Sequence, residues 1–196
     1  MDYLVLIGII IRRRNVKLIY KKIVFLLATA CLYSENININ HAKKKTELGN
    51  KYFYNKNFKQ SKLMYQEALK IDTNYRPALN NLGMLYYYGQ GIDKNLTKAV
   101  RFLGKAAIQG NKISQFYLAM SLAEINEEQF NKEIIFWLNK SAKNNYEKAQ
   151  ILLGMAYIKG EHIEKNITKA KYWIRKASDR NSTKAKRIWG KYELWK

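Results

Sequence analysis

From residue 41 onward, apolar positions recur at the three-and-four spacing of helices that bury one face. Leu79, Leu82, Leu85 and Tyr86 mark one such helix, and Ala99, Phe102, Leu103 and Ala106 mark the next. Gly89–Gly91 interrupts the pattern between them, and Asn95 stands where a capping side chain would open the second helix. Small residues at Gly83, Ala99 and Ala106 predict that the paired helices approach closely.

The pattern then repeats. The stretch Gly91-Ile92-Asp93-Lys94-Asn95-Leu96-Thr97-Lys98-Ala99 returns 71 residues later as His162-Ile163-Glu164-Lys165-Asn166-Ile167-Thr168-Lys169-Ala170. The same shift carries Leu82-Gly83 to Leu153-Gly154, Gly89 to Gly160 and Ala106 to Ala177. A middle unit lies halfway, with Leu118-Ala119 and Ser141-Ala142 in the equivalent places. Leu48-Gly49 precedes Leu82-Gly83 by 34 residues, and Trp189-Gly190 follows Leu153-Gly154 by 36. One hairpin cannot bury its apolar face alone, so successive hairpins must stack. The expected fold is all-α: an α/α superhelical solenoid of four helix-turn-helix units over 41–75, 76–111, 112–146 and 147–182. A capping helix over 183–196, centred on Ala185 to Trp195, closes it. In the third unit Asn126-Glu127-Glu128 replaces the glycine loop, and the pattern assigns no turn there.

Residues 1–34 lie outside this register. An apolar run from Leu4 to Ile11 precedes Arg12, Arg13 and Arg14, and Lys17, Lys21 and Lys22 precede a second run from Ile23 to Tyr33. Neither reaches the ~18–20 apolar residues of a spanning helix. Basic residues, an apolar stretch of about ten and then Ala28-Thr29-Ala30 form the pattern of a secretory signal peptide. The apolar run upstream of the basic residues is foreign to that pattern and points to a translation start near Val16. An uncleaved membrane anchor is the competing expectation. Ala30 also admits lipidation at Cys31, although Ala28 occupies the usual Leu place. The protein is thus expected to be exported, periplasmic or secreted, or held by its N-terminus.

With the units aligned, residues 42–75 resemble a tetratricopeptide repeat through Leu48-Gly49, Tyr52, Asn57-Phe58, Tyr65, Ala68-Leu69 and Asp72. The later units resemble the related Sel-one-like repeat. Ala78, Leu82-Gly83, Tyr86, Gly89-Gln90-Gly91, Ala99 and Ala106-Ala107 carry the likeness in the second unit. Ala149, Leu153-Gly154, Tyr157, Gly160, Ala170, Trp173 and Ala177 carry it in the fourth. The resemblance implies a bacterial, non-catalytic adaptor that holds a protein or peptide. It also implies that the residue after each Leu-Gly pair faces a concave groove. Met84, Met120 and Met155 are equivalent in this sense, with Asn50, Tyr54, Asn80, Tyr87, Tyr88, Phe116, Ile151 and Lys159 beside them. Flexible thioethers next to tyrosine suit an adaptable peptide site. The alternative is that these methionines pack between helices. Tetratricopeptide domains that clamp acidic chaperone tails use five polar positions. Only Asn50 and Asn81 match; Thr46, Ile113 and Tyr117 stand at the others, so that clamp is not expected.

Composition changes this picture little. At 47% apolar and 13% aromatic, the chain can bury a core, which argues against disorder. One Cys excludes an internal disulfide framework, and two His, His41 and His162, argue against a metal site; no cofactor is expected. Signatures of serine hydrolases, zinc proteases and phosphate loops are missing from the sequence. The three Asn-x-Thr stretches at Asn95, Asn166 and Asn181 read as helix caps. The net charge of +21 comes from 36 Lys and Arg against 15 Asp and Glu. Only eight of the 36 are Arg, a profile that AT-rich coding produces by itself. The charge still supports an alternative partner, nucleic acid or anionic membrane, met by Lys171, Arg175, Lys176, Arg180, Lys184, Lys186 and Arg187. Trp173 and Trp189 nearby would allow stacking.

Overall fold

The computed structural model describes the backbone of residues 3–195 and the side chains of residues 20–195 except 31 and 35. The side chain of Cys31, the lipidation candidate, and those of the first 19 residues therefore lie outside the described set. Helices follow one another as α1 (Tyr3–Tyr54), α2 (Phe58–Ile71), α3 (Arg76–Tyr88), α4 (Leu96–Ile108) and α5 (Lys112–Ile125). A short 3₁₀ turn (Glu128–Phe130) leads to α6 (Asn131–Lys143), α7 (Glu147–Lys159), α8 (Ile167–Ser178) and α9 (Thr183–Lys191). Each helix packs on the next, and α3 also touches α1 and α5, so the odd-numbered helices stand side by side. The protein is an all-α solenoid of helical hairpins, without strands among the described residues.

Local chemistry sets the helix ends. Asn95 and Asn166 open α4 and α8, their side chains accepting the backbone N–H of Lys98 at 2.8 Å and Lys169 at 2.9 Å. Gly89 (φ 68°) and Gly160 (φ 79°) close α3 and α7 in the left-handed conformation that costs glycine nothing. In the third unit Asn126 (φ 59°) takes that role after α5, which supplies the turn the sequence pattern left unassigned. Asn181 departs from expectation. It sits at φ 64°, and Ser182 beside it caps α9 by accepting from Ala185 N at 3.2 Å.

The hairpins close tightly where the small residues lie. A Cβ on Gly83 would stand 2.7 Å from Leu103 Cγ, and one on Gly154 would stand 2.5 Å from Ile174 Cδ1. Ala99 and Ala106 are fully buried. Between units, buried glutamines reach back to the last turn of the preceding helix. Gln115 Nε2 donates to Ala107 O at 3.1 Å, and Gln150 Nε2 donates to Ala142 O at 3.0 Å, 35 residues on. Each glutamine is a second donor to its carbonyl, which also accepts a backbone N–H, Ala107 O from Gly110 at 3.0 Å and Ala142 O from Asn145 at 3.1 Å. One apolar core runs from Tyr65 to Leu194 and includes Leu82, Leu103, Leu153 and Ile174.

The two chain ends differ from the simplest expectation. No break separates the leader from the first unit, because α1 passes straight through residues 34–41. Its described side chains from residue 20 to 41 are exposed, and burial begins at Ala42. Among the described residues no helix is long and apolar enough to cross a membrane. At the other end α9 stops at Lys191, short of the expected Trp195, and the following turn buries Leu194.

Candidate functional site: a divided concave groove

α5 contributes Ile113 to one hollow on the face of the odd-numbered helices and Phe116 and Met120 to another. The first hollow, about 300 Å³, is lined by Asn50 and Tyr54 from α1 and by Asn80 and Met84 from α3. The second, about 590 Å³, lies between α5, α7 and α9 and has Phe116, Met120, Ile151, Met155 and Ile188 as its apolar surface. Nine of the eleven groove candidates read from the sequence line these two hollows: Asn50, Tyr54, Asn80, Met84, Phe116, Met120, Ile151, Met155 and Lys159. The three methionines are half-buried and rest against the core with one side free.

The remaining two candidates, Tyr87 and Tyr88, belong to an aromatic partition. Tyr88 and Tyr117 share a hydroxyl–hydroxyl hydrogen bond of 2.5 Å, and Tyr87 packs edge-on against both rings. Tyr117 lies on α5 between Ile113 and Met120, so this cluster separates the hollows. Phe116 and Tyr146 extend it across the groove, with ring centres 5.3 Å apart. Burial pushes the Tyr88 phenol up to about 12, helped by its hydrogen bond to Tyr117. Burial raises Tyr87, Tyr117 and Tyr146 as well. All four phenols therefore stay neutral hydrogen-bonding groups at physiological pH.

An asparagine network rims the smaller hollow. Asn50 Oδ1 accepts from Tyr65 OH and from Asn81 Nδ2, both at 2.8 Å, and Asn80 Oδ1 accepts from Ser114 Oγ at 2.8 Å. Thr46, at the place of the clamp lysine, is buried and bonded to Ala42 O. No cation comes from Thr46, Ile113 or Tyr117 at the three clamp positions that would need one.

The seven residues of the sequence-derived basic patch do not share one surface. Lys184 and Arg187 turn into the larger hollow. Lys171 and Arg175 line a separate depression with Tyr172, Trp189 and Trp195. Lys176 lies over the rings of Tyr172 and Trp173, Arg180 Nη1 donates to Asn145 O at 3.4 Å, and Lys186 Nζ donates to Asn181 Oδ1 at 3.3 Å. Trp173 is buried and unavailable for stacking. Sequence reasoning missed Lys148, Lys191 and Ile188 in the larger hollow. The i, i+3, i+4 and i+7 spacing of Lys184, Arg187, Ile188 and Lys191, which shares one helix face, is the signal that was there to read. Among the described residues no three of His, Cys, Asp and Glu gather to hold a metal. His162 is occupied in a loop by Asn131, at 2.6 Å.

Comparison with known proteins fits this architecture. The Sel1 repeat family matches residues 76–111 and 147–182, the second and fourth units. An uncharacterised protein of Neisseria meningitidis serogroup B is 32% identical over 87 residues, which are 43% of this chain and 17% of that protein. A Sel1 repeat protein from Oxalobacter formigenes superposes with a TM-score of 0.61 at 27% identity, over 71% of this chain and 57% of that one. A protective antigen of uropathogenic Escherichia coli, described as displaying an SLR fold, superposes with a TM-score of 0.71 over 78% of this chain and 34% of that one. At 24% identity this second superposition speaks for the fold alone. The chain thus spans about a sixth of the curated relative and between a third and three-fifths of these two solved structures. Its register, hairpin geometry and matched units show Sel1 repeats at residues 76–111 and 147–182 of an α/α solenoid.

Proposed function

We propose that the protein is a non-catalytic adaptor that holds a protein or peptide segment in its concave groove. One observation carries this reading. Three successive odd-numbered helices each present a half-buried methionine, Met84, Met120 and Met155, to a hollow of that groove. Such side chains supply apolar contact while adapting to the shape of the ligand. Sel1 repeats generally mediate protein–protein interaction, which supports the same role. The basic, apolar and small-residue order of the leader supports action outside the cytoplasm, in the envelope or secreted space.

The test is a pull-down with the full chain from the cells that produce it, repeated at about 0.5 M salt, where charges are screened beyond roughly 4 Å. A specific protein partner retained at high salt and lost with Met84→Ala or Met120→Ala supports the adaptor reading. Recovery of nucleic acid or lipid alone, released by salt, replaces it with polyanion binding. Intact mass of the native protein tests the location, since a cytoplasmic form that keeps Met1 counts against export.

A further inference from the structure

We infer that the larger hollow, between α5, α7 and α9, takes an acidic peptide segment bearing at least one apolar side chain. This rests on the groove reading above and narrows it to one compartment and one ligand chemistry. Met120, Ile151, Met155 and Ile188 form an apolar surface inside a volume of about 590 Å³, room for a few side chains but not for a duplex or a bilayer. The polar rim is unbalanced. Its two carboxylates, Glu161 paired with Lys159 at 3.0 Å and Glu147 accepting from Ser182 Oγ at 2.5 Å with its charge kept, face five cations, Lys148, Lys159, Lys184, Arg187 and Lys191. Lys148, Lys184 and Arg187 on the same rim have no carboxylate within ion-pair distance among the described residues.

Cations at the edge of an apolar cleft attract negative charge, and the wall of low polarizability strengthens that attraction. The sources of such charge can be sorted by the chain itself. A second copy carries +21 and is repelled. The leader, with Arg12, Arg13, Arg14, Lys17, Lys21 and Lys22, has the wrong sign to fold back into the cleft. A bare polyanion would meet the rim but leave the apolar surface wet. A segment combining Asp or Glu with Leu, Phe or Met satisfies both. α9 supplies Lys184, Arg187 and Ile188 together, so this one helix completes the site.

Fluorescence anisotropy with the full chain tests this with four labelled probes. They are a short peptide mixing Leu and Phe with Asp and Glu, its Lys-for-acid version, its Ser-for-apolar version and a thymidine oligonucleotide. The first probe is expected to bind best. Lys184→Glu with Arg187→Glu should weaken it at least about tenfold, and Met155→Ala severalfold, a larger loss than that from Met84→Ala in the other hollow. Both charged residues are exposed, and thermal melting confirms that the variants fold; the Lys184→Ala, Arg187→Ala pair provides a milder second test. Sensitivity to Met84→Ala without sensitivity to charge reversal moves the ligand to the smaller hollow, overturning this inference but leaving the groove reading intact. Equal binding of the Ser-for-apolar peptide or of the oligonucleotide overturns both in favour of a polyanion site. Failure of every probe to bind overturns this inference alone, since the pull-down judges the groove independently.

Discussion

Gln150 and Asp179 stand 35 residues on from Gln115 and Asn144, yet the hydrogen bond of the earlier pair cannot form in the later one. Asn144 Nδ2 donates to Gln115 Oε1 at 3.0 Å, and an aspartate has no such hydrogen to give. Gln150 Oε1 is correspondingly buried without a partner among the described residues. Asp179→Asn restores the donor and removes a negative charge from the end of α8, where the helix dipole opposes it. We expect the variant to gain about 1 kcal/mol, read as a higher midpoint in urea unfolding. An unchanged midpoint would mean that the amide oxygen finds another partner.

The glycines on the paired helices should rank by what their missing side chain would meet. Gly83→Ala drives a Cβ into Leu103 at its branch point and toward its backbone N at 3.1 Å, neither of which swings aside. We expect a loss of about 1–3 kcal/mol from overpacking. Gly154→Ala meets the flexible tip of Ile174 and should cost less. Gly104, in the middle of α4 with nothing near it, should gain up to about 1 kcal/mol on becoming Ala. Thermal melts of the three variants give the order directly, and a stabilised Gly83→Ala would contradict the close packing.

These helix pairs were legible in the sequence because spacing, caps and small residues act within a few positions of one another. Asn95, Gly89 and Gly83 each announce their role locally. The groove was legible only in part. Tyr117 looked like a failed clamp position, and nothing near it in sequence reveals Tyr88 as its partner 29 residues away. Lys184 and Arg187 looked like part of one basic stripe with Lys171 and Arg175. Only the superhelical turn between α8 and α9 sends the two pairs to different surfaces.

The tyrosine partition predicts an alkaline transition. Tyr88 holds its proton up to about 12 in the folded protein, whereas an unfolded tyrosine loses it near 10. The folded state then binds more protons between those values, so its stability is complete below pH 10 and falls as the pH rises toward 12. Phenolate absorbance should show tyrosines titrating late. Tyr117→Phe should lower the Tyr88 titration without returning it fully to the ordinary value, because burial, the larger cause, remains. Tyr88 is 49% exposed, so a Tyr88 that titrates normally in the native protein would show that water at its ring outweighs the bond to Tyr117.

Methionine truncation separates groove from core. Leu82→Ala and Leu153→Ala remove fully buried side chains and should cost about 2–5 kcal/mol each. Met120→Ala and Met155→Ala, half-buried at the edge of a hollow, should stay well below that range while weakening ligand binding. Melting and titration on each variant make the comparison. Losses equal to those of the leucines would assign the methionines to the core.

The unbroken α1 has a mechanical consequence. At about 1.5 Å per residue, the stretch before Ala42 is a rod of ~55–60 Å, and it enters the first hairpin without a hinge. Any surface that grips its far end therefore fixes the direction in which the groove opens, as a stalk fixes the heading of a weathervane. A proline introduced near Asn36 would cut that transmission, leaving the repeats folded but free to swing.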